Sequence, residues 1–440
     1  MDSRRRGNDG TKNMSKLTAE YLIDDLSPAE RARAERVEAI LPVLAERAGA
    51  MDHDGFLDPA NVQTLSEAGL LGLVVPEEFG GLGGGLRDWA AAEFAIGTVC
   101  PSTALTYFFH NTSASRGTLA LAALEAGLFS DDEAPKVRAF SEKILRLMGD
   151  EAKWTANFAS EDVKSEKAAI TIQTTATPVD GGYRLNGVKS FGCATGIADQ
   201  YLVTASLEGV EDASGLCTFI VHRDQPGQKP RAPWDSMGMR GTATEGLVLE
   251  DYFVPEDEAL AIRGAFARSC QMSRTSFVGN QVAASVVYLG GAKAAHDAAM
   301  HQVTTRKFAD TGKAIGTGPF QQQLIGQMFA DYQTALMWAQ RQINLESGHI
   351  AGVPKDEINL FWRTAKGQIA EYSFKVAQSA LKMMGTSGTG FSSPTSRAIR
   401  DLAMGLVQAF PAERGRLQTA QLLVEGAEQL GFGGLAKPAS

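Results

Sequence analysis

The chain has 440 residues, of which 44% are apolar, 21% charged and 8% aromatic, a composition typical of globular proteins. Its 42 Lys and Arg residues against 51 Asp and Glu residues give a formal net charge of −9, which excludes a globally basic surface for nucleic acid or an anionic membrane. The 4 cysteines include no CxxC pair and the 6 histidines no HExxH spacing, so we expect neither a structural disulfide nor a metal site.

The N-terminus carries no recognisable targeting segment. Residues 1–13 are basic and polar, and they lack the apolar core of a secretion signal. No uncharged apolar run approaches the roughly 20 residues that span a bilayer. We therefore expect a cytoplasmic protein that does not enter a membrane, with residues 1–26 either disordered or an extension around the alternative start at Met14.

Residues 27–150 are predicted to form a helical N-terminal domain. Ser27 followed by Glu30 is typical of a helix start, because each side chain can accept a hydrogen bond from the backbone N–H of the other. Apolar residues follow at helical spacing, which predicts a first helix over 27–47. Runs rich in Ala and Leu, separated by Gly, Pro, Asp or Asn, predict further helices over 59–68, 86–99 and 113–126.

The periodicity changes at about Trp154. Short runs rich in β-branched and aromatic residues predict a central β domain over residues 151–260. These runs are WTANFAS, AITIQTTATPV, YRLNGVKSF, QYLVTAS, GLCTFIVH and EGLVLEDYFV. Helical patterns over 273–306, 319–347, 355–384 and 413–430 predict a C-terminal helical bundle domain over residues 261–440. The fold class is thus α+β with several domains, and we expect a cofactor or substrate cleft where the layers meet.

Four motifs in order resemble the acyl-CoA dehydrogenase superfamily. They are GLLGLVVPEEFGGLGGG (69–85), YRLNGVKSFGCATGIADQYLV (183–203), MGMRGTATEGLVLEDYFVP (237–255) and MGTSGTGFSSPTSRAIRDLA (384–403). The resemblance runs from about residue 30 to residue 430. It implies a helical N-terminal domain, a central β-barrel and a C-terminal four-helix bundle, assembled as a homo-oligomer (a tetramer or a dimer). It also implies a flavoprotein oxidoreductase that acts on a small molecule, an acyl thioester in most of the superfamily.

The resemblance assigns a flavin-ring site to two segments, FASE (158–161) and FGC (191–193). The residues it places there are Phe158, Ser160, Phe191 and Cys193. Phe191 stands where Trp is common, and Cys193 stands where Thr is usual. An aromatic wall with a few donors suits the isoalloxazine, which is a flat apolar plate with a polar edge.

A second set matches the positions at which the superfamily binds the pyrophosphate and adenine of FAD, partly from a neighbouring subunit. These positions are Arg306, Gln321, Gly385, Thr386 and Gly388. An Arg fork donates two parallel hydrogen bonds to a pyrophosphate, and glycines let the backbone approach a ligand. The loop after Arg306 is two residues longer than usual, and Thr386 replaces a glycine. FAD is the expected cofactor, with FMN as the alternative.

The usual catalytic base is missing from its expected positions. Desaturation of a thioester begins with proton abstraction by a carboxylate, and Ala409 stands where most of the superfamily has this Glu. A subgroup places its Glu at the start of the first bundle helix, where Asn280 and Gln281 stand here. Glu413 is a candidate displaced base, but Pro411 before it favours a first-turn acid of a new helix.

Three further residues have a structural and a functional interpretation. Glu161 matches a position that supports packing near the flavin, and Arg240 matches an Arg that pairs within the barrel. His110 lies in a segment that resembles the substrate-side helix, which makes it a candidate for substrate binding, while a buried core histidine is the favoured alternative. Asp162 and the VKSEK segment (163–167) replace the usual Pro and glycines of the phosphate and substrate loop.

Three functions are compatible with these residues. The first is α,β-dehydrogenation of an acyl thioester with Glu413 or another non-standard base. The second is a reduced-flavin-dependent monooxygenase on the same fold, which needs no base for the α proton. The third is a catalytically degenerate subunit that completes the FAD site of another chain. The sequence does not identify the substrate, because fold resemblance defines a scaffold better than a reaction.

Overall fold

The N-terminal part of the chain is helical in the computed structural model, which describes residues 16–163, 172–273, 281–408 and 410–426. Its helices are α1 (Pro28–Asp54), α2 (Pro59–Glu67), α3 (Leu86–Gly97), α4 (Pro101–Glu125) and α5 (Ala134–Met148). The expected capping box opens α1, because Ser27 N donates to Glu30 Oε2 at 2.8 Å and Glu30 N donates to Ser27 Oγ at 3.3 Å.

Helix α5 was not predicted, α1 runs to Asp54 beyond its predicted end at residue 47, and two further features of this part differ from the prediction. Helix α4 begins at Pro101, well before the predicted start at residue 113. The prediction missed its first turns because they are buried on all sides and therefore show no amphipathic pattern. The expectation of a disordered segment or extension over residues 1–26 is wrong for the last part of this range. Leu22 and Ile23 are buried, and Thr18 N donates to Glu38 of α1 at 2.8 Å. Residues 1–15, which include Met14, lie outside the described residues.

The central part is one eight-stranded sheet, curved into a half-barrel. Its strands are β1 (Thr155–Phe158), β2 (Thr175–Val179), β3 (Gly182–Lys189), β4 (Gln200–Leu207), β5 (Leu216–His222), β6 (Gln228–Pro230), β7 (Leu247–Pro255) and β8 (Ala259–Leu260). The order is β6-β7-β3-β2-β4-β5-β8, and β1 pairs with β4 in parallel. Strands β6 and β8 were not predicted, because three and two residues are too few to show an alternating pattern.

The C-terminal part is a helical bundle. Its helices are α6 (Ala265–Cys270), α7 (Gln281–Thr305), α8 (Pro319–Glu346), α9 (Lys355–Met384), α10 (Pro394–Val407) and α11 (Ala412–Glu425). Short connections make α7, α8 and α9 successively antiparallel, so the end of α7, the start of α8 and the end of α9 meet at one end of the bundle. No helix among the described residues is long and apolar enough to cross a membrane.

The three parts share one hydrophobic core, which runs from α1 through the sheet to α10. At the centre of this core, the loop before β7 lies between α1 and α10. A Cβ on Gly238 of this loop would lie 2.0 Å from the backbone carbonyl oxygen of Arg400 in α10. This close docking holds the segment between β6 and β7 against the start of α4 and fixes the rim of the candidate site.

Candidate active site

The end of β1 and the segment after β3 lie side by side and form one wall. Ser190 N donates to the carbonyl oxygen of Ser160 at 3.0 Å, which joins the two segments just beyond their strands. Phe158 is fully buried, and its ring packs edge-on against Tyr201 of β4 with centroids 5.0 Å apart. A Cβ at position 192 would lie 2.3 Å from the Phe158 ring, so only Gly192 lets the two segments approach this closely.

The exposed surface of this wall offers an aromatic ring and several hydrogen-bond donors. Phe191 is 52% exposed and touches Trp234 edge-on, and Ser160 is exposed. Within the described residues, the amides of Phe191, Gly192 and Cys193 donate to no backbone carbonyl. These free donors beside an open aromatic face fit a flat ring with a polar edge. The flavin-ring site at Phe158, Ser160 and Phe191 stays a prediction, and Phe158 itself lies buried behind this surface.

Cys193 points away from this surface into the protein. Its thiol lies 3.2 Å from the hydroxyl of Thr244, and burial raises the pKa of Cys193 to about 12, although the hydroxyls of Thr244 and Thr242 oppose the shift. The side chain is therefore a neutral thiol and not a nucleophile. Its role in the wall is to anchor the segment against the loop before β7, where Ala194 N also donates to Thr242 O.

A buried ion pair supports the same wall from behind. Lys189 Nζ lies 2.6 Å from Glu161 Oε1, and both side chains are almost completely buried. Glu161 also accepts from Thr174 and from the amide of Gln173. Burial raises the pKa of Glu161, but the charge of Lys189 and these hydrogen bonds outweigh it and hold the pKa below its ordinary value. Glu161 is thus a structural carboxylate, in keeping with the packing role that the resemblance implies.

Charged side chains of α1 and α10 clamp the loop before β7. Asp401, fully buried in α10, accepts from Met239 N at 2.7 Å. Burial raises the pKa of Asp401 to about 6 against the opposing effect of that hydrogen bond. Arg400 donates to both carboxylate oxygens of Asp52, at 2.6 and 2.5 Å. Arg240 donates to the backbone carbonyls of Asp52 and His53 in α1 and of Ser236, so two of its three acceptors lie in the first helix and not within the barrel as expected.

The second predicted set lies at one end of the bundle. Arg306 follows α7 and opens a short hairpin in which Ile315 N donates to Arg306 O at 2.9 Å. The two extra residues of this loop are absorbed in that hairpin. Among the described residues the guanidinium of Arg306 has no acceptor, and the buried Oε1 of Gln321 has no donor. Gly385 and Thr386 are exposed in the turn after α9, while Gly388 is buried beneath them.

His110 and Glu413 do not meet at a common site. His110 is fully buried, where its Nε2 lies 2.8 Å from Leu71 O and its Nδ1 accepts from Thr155 N at 3.0 Å. Both ring nitrogens are therefore engaged by backbone, which favours the core-histidine alternative. Glu413 is exposed in the first turn of α11 and pairs with Arg416 at 3.4 Å. Ala409 and Asn280 lie outside the described residues, as does the side chain of Gln281.

A cleft of about 550 Å³ lies between α3, α4 and the end of α8. Trp89, Asn111 and Glu346 line it, together with the loop over residues 74–86. None of these three residues was predicted from the sequence as part of a site. Glu346 is 4% exposed and accepts from Gln342 at 2.7 Å, and burial raises the pKa of Glu346 to about 8 despite that hydrogen bond. The sequence signal that could have identified Glu346 is a carboxylate at a position of the helical pattern that faces the core.

No group of His, Cys, Asp and Glu side chains within the described ranges is arranged to hold a metal ion.

Three family descriptions match successive parts of the chain. They are "Acyl-CoA dehydrogenase, N-terminal domain" over residues 28–126, "Acyl-CoA dehydrogenase, middle domain" over residues 156–252 and "Acyl-CoA dehydrogenase, C-terminal domain" over residues 282–410. Together they span the helical, sheet and bundle parts of the structure.

Individual relatives include enzymes with different reactions. The chain is 29% identical over 389 residues to an amino sugar nitrososynthase of Streptomyces peucetius, covering 87% of this chain and 90% of that protein. It is 24% identical over 417 residues to a mitochondrial isovaleryl-CoA dehydrogenase of Oryza sativa subsp. japonica, covering 94% and 95%. In fold it resembles KijD3, solved with FMN and dTDP-3-amino-2,3,6-trideoxy-4-keto-3-methyl-D-glucose, with a TM-score of 0.77, 23% identity and coverage of 96% and 100%.

Proposed function

Since the chain belongs to the acyl-CoA dehydrogenase family and is a flavin-dependent oxidoreductase of that fold, we propose that it is a reduced-flavin-dependent monooxygenase. The observation that carries the proposal is Ala409 at the position of the family's catalytic Glu. Desaturation of a thioester has no obvious start without a carboxylate near the α proton. Glu413, the displaced candidate, is exposed and paired with Arg416 in the first turn of α11.

The relatives support this choice. The Streptomyces peucetius relative is named for forming a nitroso group on an amino sugar, which is an oxygenation and not a desaturation. KijD3, whose fold the chain shares, binds FMN and an amino sugar nucleotide. Transfer of oxygen to such a substrate requires no α-proton base, so the loss of the family Glu is compatible with it. Because another relative is an isovaleryl-CoA dehydrogenase, desaturation is the alternative reaction that the experiments must distinguish from oxygenation.

The wall over Phe158–Ser160 and Phe191–Cys193 holds the flavin ring in this proposal. The open ring of Phe191 provides an apolar face, while the hydroxyl of Ser160 and the free amides after Phe191 donate to the polar edge. A bound reduced flavin supplies the two electrons needed to activate O₂. The role of the chain is to position this ring and to keep bulk water from its inner face.

We infer FAD as the cofactor, with FMN as the alternative. The unpaired Arg306, the unpaired Oε1 of Gln321 and the exposed turn at Gly385 lie together at one end of the bundle. Phe320, beside Gln321, is 67% exposed. The guanidinium of Arg306 suits the pyrophosphate of an FAD bound to a second copy of this chain. The exposed ring of Phe320 and the acceptor of Gln321 suit its adenine. The proposed assembly is therefore a homo-oligomer.

The reaction type is tested by two experiments on the purified flavoprotein. First, acyl-CoAs of several chain lengths are added anaerobically, and we expect the oxidised flavin band to persist. Second, reduced flavin from a separate reductase and ¹⁸O₂ are supplied with a panel of small amines and amino sugars, and we expect ¹⁸O in one product. Bleaching by an acyl-CoA, lost in Glu413→Gln, would instead establish desaturation with a displaced base. A protein that fails to bind flavin would indicate the degenerate-subunit alternative.

A further inference from the structure

The cleft between α3, α4 and the end of α8 has a strongly one-sided chemistry. Its described lining includes two carboxylate residues, Glu77 and Glu346, and no Lys, Arg or His. Glu77 lies at the exposed mouth, whereas Glu346 is 4% exposed. A concave site with acidic walls and no cation attracts positively charged ligands.

Two buried acceptors of this lining have no partner. Glu346 Oε2 and Asn111 Oδ1 are both inaccessible and accept no hydrogen bond within the described chain. Their other polar atoms are engaged, because Gln342 donates to Glu346 Oε1 at 2.7 Å and Asn111 Nδ2 donates to Tyr107 O at 3.2 Å. A buried acceptor without a donor is unfavourable and rare in folded proteins. A group that donates hydrogen bonds would satisfy both atoms.

The aromatic wall of the cleft is rigidly held. Trp89 stacks on Phe108 with ring centroids 5.3 Å apart, and its indole N–H donates to the buried Glu93 at 3.1 Å. Trp89 lines the cleft, and because its indole N–H already donates to Glu93, it offers the cleft no further donor. The face of an indole ring attracts cations and packs well against compact apolar bodies.

We propose that this cleft is a recognition subsite for an ammonium group, with Glu346 and Asn111 as acceptors and Trp89 as the aromatic wall. The ligand is a small primary or secondary amine attached to a compact ring. An ammonium ion supplies both the positive charge and the N–H donors that the lining lacks. Binding stabilises ionised Glu346, whose proton passes to solvent, in a site where burial otherwise raises the pKa of this carboxyl.

The inference deepens the proposed function, on which it rests, by naming an amine as the substrate class. Binding of an amine to this cleft requires no reaction of the flavin. The test is therefore a binding measurement with oxidised holoprotein in the absence of reductant. Loss of oxygenation with intact amine binding would count against the proposed function alone. Oxygenation without amine binding at this cleft would count against the subsite alone.

Affinity for three probes of equal shape tests the subsite by calorimetry or ligand-observed NMR. These are cyclohexylammonium, cyclohexanol and cyclohexanecarboxylate. We expect the wild-type protein to bind the ammonium probe at least about tenfold more tightly than the alcohol, and to bind the carboxylate most weakly. Equal affinity for ammonium and alcohol would overturn the proposal, and this comparison requires no variant.

Glu346→Gln then assigns the effect to the cleft. The amide is nearly isosteric and uncharged, so folding should be preserved while affinity for cyclohexylammonium falls by about tenfold and affinity for cyclohexanol is unchanged. The matched control is Glu78→Gln, whose exposed side chain is not part of the cleft lining and whose charge is screened by solvent, with an expected change below about twofold. Wild-type ammonium affinity in folded Glu346→Gln would disprove the assignment.

Discussion

At the scale of single residues, the buried pair of Lys189 and Glu161 is a sensitive point of the flavin wall. Glu161→Gln leaves the ammonium of Lys189 buried without its counter-charge, and we expect the free energy of unfolding to fall by about 3–5 kcal/mol. The measurement is urea unfolding at pH 7. Flavin retention should fall as well, because Lys189 joins the two segments that form the wall.

The exposed pair of Lys229 and Glu250 is the control for this change. These side chains are 59% and 65% exposed, and their charged atoms are 2.8 Å apart, close to the buried distance. Glu250→Gln should change the free energy of unfolding by less than about 1 kcal/mol, because solvent already stabilises each charge. Equal effects at both sites would show that burial of the pair around Lys189 carries no energetic weight.

His110 gives the molecule a defined sensitivity to acid. Burial lowers the pKa of His110 to about 4, against the opposing effect of its two backbone hydrogen bonds. Nδ1 accepts a hydrogen bond, so the ring is neutral in the folded protein and protonation would break that bond. A histidine with a depressed folded pKa stabilises the fold above its unfolded value of about 6.5. That contribution, about 3 kcal/mol, is lost as the pH falls toward 4.

The measurement is the free energy of unfolding between pH 7 and pH 4 for the wild type and for His110→Gln. We expect the stability advantage of the wild type to be largest at pH 7 and to shrink as the pH falls. His301→Gln, which changes an exposed ring, should follow the wild-type profile. Parallel profiles for all three proteins would refute the role assigned to His110.

At the scale of secondary-structure elements, the docking of the loop before β7 against α10 depends on a missing side chain. In Gly238→Ala the new Cβ would lie 2.0 Å from Arg400 O, a backbone atom that cannot turn aside. We expect a loss of about 1–3 kcal/mol or more in the free energy of unfolding, with weaker flavin binding as the loop moves. Thermal unfolding and flavin titration report both effects.

Gly326 provides the matched glycine control. It lies in α8 with nothing within 4 Å of the position of a Cβ. Gly326→Ala should therefore stabilise the protein by up to about 1 kcal/mol, because alanine favours a helix. A destabilisation equal to that of Gly238→Ala would mean that close contact at α10 is not the cause.

Sequence patterns were most informative for elements with clear ends. Helices α8 and α9 lie within a residue of their predicted ranges, because a proline at or just before the first residue and a glycine shortly after the last residue mark each helix. The start of α4 was missed because burial on all sides removes the amphipathic period, and α10 was missed inside a motif of small residues. Strand β2 begins at Thr175, later than its apolar run suggested.

The candidate site was predictable only where one short segment carries it. Ser160 and Phe191 could be assigned because each lies just after a strand within a recognisable motif. The cleft at Glu346 could not, because Trp89 and Glu346 are distant in sequence and meet only through packing of α3 against α8. No local spacing encodes such a meeting.

At the scale of the whole molecule, the contact of Asp52 with Arg400 couples the first helix to the bundle. A double-mutant cycle of Asp52→Ala and Arg400→Ala should give a coupling energy of about 1–3 kcal/mol, because the pair is largely buried and doubly hydrogen-bonded. Chemical unfolding measures each corner of the cycle. The exposed pair of Arg146 and Asp150 should give about 0.5 kcal/mol or less in the same experiment. Equal coupling at both pairs would contradict a special role for the contact between α1 and α10.

The same contact sets an order of events when the protein is made. Asp52 leaves the ribosome 348 residues before Arg400, an interval on the order of half a minute at typical rates of synthesis. Throughout that time the face of α1 that packs against α10 in the folded protein remains exposed to solvent, because α10 has not yet been synthesised. Demand for chaperones should therefore be greatest late in translation, after the sheet has formed and before the last helices emerge.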